Sequence, residues 1–329
     1  MSRGRYLRRI QKIKTGSFMV SLPMDWVKRN NLSSQSPVFV IEDPNNNVVV
    51  RIPTSKCLVE VDVSQLSISV LEDVLKILYM QGLSKIILKS ETGFSEEVVR
   101  LVRSLRQDLI GYEVEDIGFK QIIIEVKDSI EYVDSETFMR YFKKSLRYLK
   151  SALASLPSHV QSYNAKNVKE VLLEAKRTYR YLARLLALAL KEPERNGLPA
   201  SLHVVYIENI TRLREIAYYI YRMVDFVESL TPKDVELLKP MISVVSRAID
   251  LLENGLDIDA LASLREEVNS SEEALIAQTH NPKLIHSAFA LRRIMHNLLR
   301  IVENFYAVAK VQDVKCVAEE LEKTVEFSG

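Results

Sequence analysis

The sequence predicts a multidomain α+β protein. Three observations support this fold class. The first thirty residues carry eight basic residues and one acidic residue, residues 57–128 alternate between β-rich and helical patterns, and long helical periodicity runs from Ser135 onward. A chain of 329 residues can hold two or three domains with cores of their own. We place these domains at residues 1–56, 57–130 and 131–329.

The N-terminal thirty residues have a net charge of +7, whereas the whole chain carries only +2. Only Asp25 opposes the basic residues, while an ordinary solvated surface mixes both signs. A basic segment of this kind is typical of nucleic-acid-binding modules. The predicted DNA-binding residues are Arg3, Arg5, Arg8, Arg9, Lys12, Lys14, Lys28 and Arg29.

The same segment has the pattern of ordered structure. Residues 17–22 alternate as a strand after a Gly-Ser turn, and Pro23 suits the first position of a short helix over 24–30. Two further β-rich runs, 37–41 and 48–52, flank a turn-forming stretch at 43–47 and predict a hairpin. A unit this small has little core of its own, so we expect it to need a partner.

The run RIQKIKTGSFMVSLPMDWVKRNNL, residues 9–32, resembles the AbrB/MazE/SpoVT swapped-hairpin DNA-binding domain, in the form found at the front of archaeal PhoU-type proteins. The resemblance covers residues 3–53, and its most specific parts are the Gly-Ser turn, the Ser-Leu-Pro strand end and the Trp-Val-Lys helix. The chain departs from the family at Gln35-Ser36, where a Gly-Asp turn is usual. The resemblance implies an interleaved homodimer that presents basic strands to double-stranded DNA.

Residues 57–130 are expected to form a small α/β sandwich of order βαβαββ. The predicted strands are 58–63, 85–89, 111–117 and 121–126, and the predicted helices are 69–81 and 95–109. No Gly-rich phosphate loop and no cluster of His and carboxylates occurs here. A structural or dimer-spacing role is favoured, with a small-ligand sensor as the alternative.

Six helices are predicted in the C-terminal part, with Pro, Gly or Asn between them: 135–155, 164–191, 200–230, 232–254, 257–280 and 282–326. Residues 213–220 match residues 291–298 at a constant offset of 78, and the match extends to Asp225 and Glu303. This repeat predicts two three-helix bundles of one type, at residues 131–230 and 231–329.

This part resembles PhoU, a phosphate-signalling protein of two three-helix repeats. The resemblance rests on Arg177-x-Tyr179-x-x-Leu182-x-Arg184 and on a partly matched third-helix pattern. The metal-binding Glu and Asp of the family are replaced by Arg214 and Tyr218 in one repeat and by Arg292 and His296 in the other. We therefore expect no metal site and no cofactor. Arg214, Arg292 and His296 either form surface ion pairs or make an anion- or partner-binding face.

No catalytic residues are predicted, because the chain has no Gly-x-Ser-x-Gly elbow and no plausible Cys/His pair. Two distant cysteines, Cys57 and Cys316, favour a reducing, cytoplasmic location. The most apolar stretch, 181–190, contains Arg184 and is too short to span a bilayer, so we expect no membrane insertion.

The sequence thus predicts a dimeric DNA-binding regulator of phosphate homeostasis with a helical sensing or relay domain. The alternative is a protein-interaction adaptor that acts on a phosphate transporter or its signalling kinase and uses the N-terminal domain mainly to dimerise.

Overall fold

The computed structural model describes residues 6–14, 16–43, 47–53, 58–162, 165–192, 195–227, 229–255 and 257–311. The chain folds into two units: a smaller one of residues 1–42 and 48–55, and a larger one of residues 43–47 and 56–329. Some sequence predictions lie outside the described residues: Arg3, Arg5, turn residues 44–46, Cys57, Cys316 and any helix beyond 311.

The smaller unit consists of two separate two-stranded antiparallel sheets and one short helix. Its elements are β1 (Gln11–Lys12), β2 (Phe18–Met19), α1 (Met24–Arg29), β3 (Phe39–Glu42) and β4 (Val48–Arg51). The predicted order of hairpin, helix and hairpin is observed. The first strand pair is shorter than the predicted strand over 17–22, and Pro23 caps α1 instead of starting it.

The first part of the larger unit has the predicted order βαβαββ. Its elements are β5 (Leu58–Asp62), α2 (Ile68–Met80), β6 (Lys85–Lys89), α3 (Glu96–Asp108), β7 (Tyr112–Ile117) and β8 (Gln121–Val126). The hydroxyls of Ser67 and Ser95 cap the two helices by accepting hydrogen bonds from the backbone N–H groups of Val70 and Val98, at 3.4 and 3.3 Å.

The four strands form one sheet in the order β5–β6–β8–β7. Strands β5 and β6 are parallel because α2 crosses between them, and the other neighbours are antiparallel. Alternate residues of β6 and β8 are buried, among them Ile86, Leu88, Ile122 and Ile124. This period of two places one face of the sheet in the interior.

In the second part of the larger unit, the described residues form six helices. They are α4 (Ser135–Ser162), α5 (Ala165–Lys191), α6 (Ala200–Val227), α7 (Pro232–Asn254), α8 (Ile258–Gln278) and α9 (Pro282–Val311). Helices α4, α5 and α6 contact one another, as do α7, α8 and α9, and the two groups meet through α6 with α9 and α4 with α7. Asp257 caps α8 by accepting a hydrogen bond from the Ala260 N–H at 2.9 Å.

One helix boundary was predicted wrongly. Pro157 was expected to end the first long helix at 155, but α4 continues through it to Ser162. Pro240 likewise lies inside α7, between buried Leu238 and Met241. A proline removes one backbone hydrogen bond, and burial of the neighbouring side chains holds the helix across that gap.

The predicted boundary at residue 130 does not separate two cores. Buried side chains of the α/β part and of the helices belong to one continuous cluster, which includes Leu75, Leu105, Leu146 and Leu185. The larger unit therefore folds around a shared interior.

Arg184 joins the two parts of the larger unit through four hydrogen bonds. Its guanidinium is fully buried and donates to the two carboxylate oxygens of Asp128 at 2.7 and 2.8 Å. It also donates to the backbone carbonyls of Tyr79 and Leu83 at 3.0 and 2.8 Å. These bonds tie the end of α2 and the segment after β8 to the middle of α5, and we call this set the Arg184 network.

We predict that Arg184→Met lowers the free energy of unfolding by about 3–5 kcal/mol, because it leaves the Asp128 carboxylate buried without its partner. Urea unfolding followed by circular dichroism measures this loss. The matched control is Arg247→Met, which removes an exposed pair with Glu267 and should cost at most about 1 kcal/mol. Equal losses in the two variants would contradict the structural role of Arg184.

Candidate nucleic-acid interface and helical-domain sites

The basic N-terminal residues lie on the first hairpin and on α1. In the hairpin, Gln11 pairs with Met19 and Lys12 with Phe18. The turn closes through a hydrogen bond from the Ile13 N–H to the Ser17 carbonyl at 2.9 Å, and Gly16 has a φ of +90°, a conformation that favours glycine. This geometry explains why the Gly-Ser pair occupies the turn.

Helix α1 places its basic residues at its C-terminal end. Lys28 and Arg29 occupy its last turn, where the partial negative charge of the helix dipole favours cations. The helix stops at Asn30, and Asn31 adopts a left-handed φ of +52°. A short helix of this kind can present two cations side by side with the hairpin charges of the same unit.

Every described member of the predicted DNA-binding set is exposed to solvent. These residues are Arg8, Arg9, Lys12, Lys14, Lys28 and Arg29. Between Lys12 and Lys14, the side chain of Ile13 is 40% exposed within the single chain. The surface is therefore both basic and partly apolar.

No described residue of the smaller unit is buried. Phe18 and Val40 are 70% and 67% exposed, and Trp26 is only half-buried. The hairpins thus present apolar side chains without an interior to bury them in. This observation agrees with the expectation that so small a unit cannot close a core alone.

The structure does not bring Arg214, Arg292 and His296 together in one site. Arg214 is exposed at the edge of a cavity between α2, α5 and α6. The guanidinium of Arg292 lies 3.1 Å from the buried carboxylate of Glu272 and 5.0 Å from the ring centre of Phe289. The ion-pair interpretation therefore holds for Arg292.

His296 lies in a basic environment. Its pKa is lowered below the ordinary value, first by partial burial and then by Arg300, Arg212 and Arg293, while Glu303 opposes the shift. The imidazole is therefore neutral near pH 7, and it does not add positive charge to an anion site there.

Asp225 and Glu303, the acidic residues at the end of the repeat match, each lie close to a basic side chain. Asp225 lies 3.9 Å from Lys169, and Glu303 accepts a hydrogen bond from Arg300 at 2.7 Å. Among the residues that the structure describes, no group of three His, Cys, Asp or Glu side chains is arranged to hold a metal ion.

Two features of the larger unit were not predicted from the sequence. One is the Arg184 network, for which the only signal was a single charge within an apolar run. The other is the cavity beside Arg214, whose three walls come from distant segments. Neither the network nor the cavity is marked by a local sequence motif.

Comparison with known proteins gives no match: no family model, no curated protein and no solved structure is significantly similar to this chain. The two family resemblances thus remain predictions based on the quoted residues. In the described part of the chain, no helix combines the length and apolar character needed to cross a membrane.

We predict that His296→Gln reduces the loss of stability on acidification. Because the folded-state pKa is lowered from 6.5, the unfolded chain binds a proton first as the pH falls. The contribution of His296 to the free energy of unfolding is therefore present above its pKa in the unfolded chain. It is lost as the pH falls toward its pKa in the folded state. Urea midpoints at about pH 7.5 and about pH 5.5 measure the difference. An unchanged pH dependence in His296→Gln would contradict the assignment.

Proposed function

We propose that this protein is a dimeric, DNA-binding transcription regulator of phosphate homeostasis that acts in the cytoplasm. The observation that supports DNA binding is the net charge of +7 in the first thirty residues, with every described basic residue of that segment exposed on a hairpin and a short helix. Such a surface can neutralise backbone phosphates and release counterions, which is the main source of affinity for duplex DNA.

The proposed partner of the smaller unit is a second copy of the same chain. Its exposed apolar side chains, among them Phe18, Val40 and Val48, need an interior that one copy does not supply. Interleaving two copies, as the resemblance to swapped-hairpin domains implies, would bury these side chains and double the basic surface. Two-fold symmetric DNA-binding units match two-fold symmetric half-sites.

The helical part is proposed to sense or relay a signal. The link to phosphate rests on the resemblance of residues 131–329 to PhoU. No metal is assigned to this role, because arginines stand at the ligand positions in both repeats. Arg214 has no carboxylate within ion-pair distance among the described residues, so its charge remains available to an anion.

A second candidate function is an adaptor that binds a phosphate transporter or its signalling kinase. A surface groove on α6 and α9 favours it. The groove combines Tyr218, Arg222, Phe289 and Arg293, and Tyr218 is 56% exposed. Tyr and Arg are the residue types that most often dominate protein–protein binding energy.

We predict that Phe18→Asp converts the dimer to a monomer, because the charge would enter the apolar contact between the two copies. Sedimentation velocity of the full chain measures the change. The matched control is Phe119→Asp, since Phe119 is 72% exposed in the larger unit and should leave the dimer intact. A fully dimeric Phe18→Asp protein would show that the hairpins are not the main contact.

We predict that changing Arg8, Arg9 and Lys12 together to Ala abolishes duplex binding and leaves the fold and the dimer unchanged. If the wild-type dimer neutralises about six phosphates, log affinity falls against log salt with a slope of about −5. Fluorescence anisotropy with labelled duplex DNA over a salt series measures both quantities.

The control for DNA binding removes the same number of charges from another surface. Arg100, Arg103 and Arg106 form an exposed basic row on α3, and their triple Ala variant should keep the wild-type slope. If the N-terminal triple variant instead binds DNA with an unchanged slope, the hairpin is not the DNA-binding surface and the adaptor function is favoured.

A further inference from the structure

A cavity of about 520 Å³ lies between α2, α5 and α6 in the larger unit. Each helix contributes one stripe of residues at helical spacing. On α5 the stripe includes Arg180, Ala183 and Ala187, and the small alanines leave the space that larger side chains would fill. The volume is within the range of small-molecule sites.

At one end of the cavity, the basic side chains are only partly neutralised by carboxylates. The Asp108 carboxylate is shared between Arg180 at 3.6 Å and Lys76 at 3.8 Å, and Glu72 also pairs with Lys76. The Arg180 side chain is only 13% exposed, and its Nη1, the atom that lies 3.6 Å from Asp108, is buried without a hydrogen bond. A buried guanidinium donor whose shared carboxylate lies beyond hydrogen-bond distance favours a second anion as its partner.

Tyr179 and Arg214 also line this end of the cavity. The Tyr179 ring is buried, and its hydroxyl forms no hydrogen bond with any described residue. Burial raises the pKa of Tyr179, while Arg180 and Arg214 act on it in the opposite direction. The hydroxyl therefore stays protonated as a donor, and Tyr179 lines the same cavity as Arg180 and Arg214.

Among the described residues, the lining of this end holds three cations and one carboxylate. The cations are Lys76, Arg180 and Arg214, and the carboxylate is Asp73, which lies exposed at the rim. The pKa of Lys176, a neighbouring residue, is lowered first by burial and then by Arg180, while Asp108 opposes the shift.

The other end of the cavity is apolar. It is lined by Met80 and Ile77 of α2, Leu190 of α5 and Ile207 of α6. Ile77, Leu190 and Ile207 are each about half exposed, although apolar side chains of this size gain from burial. From Arg180 to Leu190 the α5 wall is about 15 Å long at 1.5 Å per residue.

We propose that this cavity binds a small amphipathic anion. Its carboxylate or phosphate head would be held by Arg180, Arg214 and the Tyr179 hydroxyl, and its apolar body would lie along Ala183 and Ala187 toward Leu190. Inorganic phosphate alone would leave the apolar length of the cavity without a contact. The ligand class is therefore a carboxylate or phosphate monoester with an unbranched or slim apolar chain.

Calorimetric titration of the full chain with decanoate and with decyl phosphate tests the proposal. We expect saturable binding of at least one of them, at one per chain, and the tighter of the two identifies the head group. Decanol and inorganic phosphate, which each lack one half of the amphipath, should bind at least about tenfold more weakly. No binding of either amphipath, or equal affinity for inorganic phosphate, would overturn the proposal.

Two variants locate the binding in the cavity. Ala187→Phe should abolish it by filling the apolar channel, and Arg214→Met, a change at an exposed position that the fold tolerates, should weaken it at least about tenfold. Arg265→Met removes an exposed cation that pairs with Glu266 and should bind as the wild type does. Unchanged affinity in Arg214→Met would overturn the proposed head-group site even if Ala187→Phe failed to fold. The titration uses no DNA, so its outcome is independent of the proposed DNA binding.

Discussion

The larger unit depends on a charge buried in an apolar helix. Arg184 is surrounded by leucines on α5, and it is stable there because Asp128 and two backbone carbonyls use its donors. Removing a guanidinium from water is costly, and only a nearly complete set of partners offsets that cost. Arg184 therefore helps to fix the relative position of α2, the segment after β8 and α5, because it fits only where its acceptors meet.

The Arg184 network also holds two walls of the cavity, α2 and α5, in position. Arg180 and Ala183 lie next to Arg184 on α5, and the carbonyls that Arg184 binds belong to the end of α2. Gly82 follows that end and lies so close to α5 that an added Cβ would be 3.1 Å from the Leu188 side chain. The spacing between α2 and α5 is thus fixed at one end by the network, and the space beside Ala183 and Ala187 is the part that no side chain fills.

Much of the fold followed from local patterns in the sequence. The serines before α2 and α3 and Asp257 before α8 act as caps within one turn, so their effect is visible in a short window. The path of α4 through Pro157 was missed because tertiary packing outweighed a local preference. Asp128 and Arg184 are 56 positions apart, and no spacing rule links them. The basic surface was predictable because the charges of a short segment can be summed from the sequence. The cavity was not predictable, because its walls come from three helices whose relative positions the sequence does not show.

Helices α6 and α9 run antiparallel, as their contacts show. Asn209 bonds to Asn304 and Arg212 to Asn297, while Phe226 stacks on His286 further along. Residues related by the offset of 78 therefore lie on opposite sides of a local pseudo-two-fold axis near Tyr218 and His296. Arg214 lines the cavity beside α2, whereas Arg292, 78 positions later, pairs with Glu272 of α8. Two helices that share a sequence pattern thus lie among different neighbours, so the same residue type at matched positions has different surroundings.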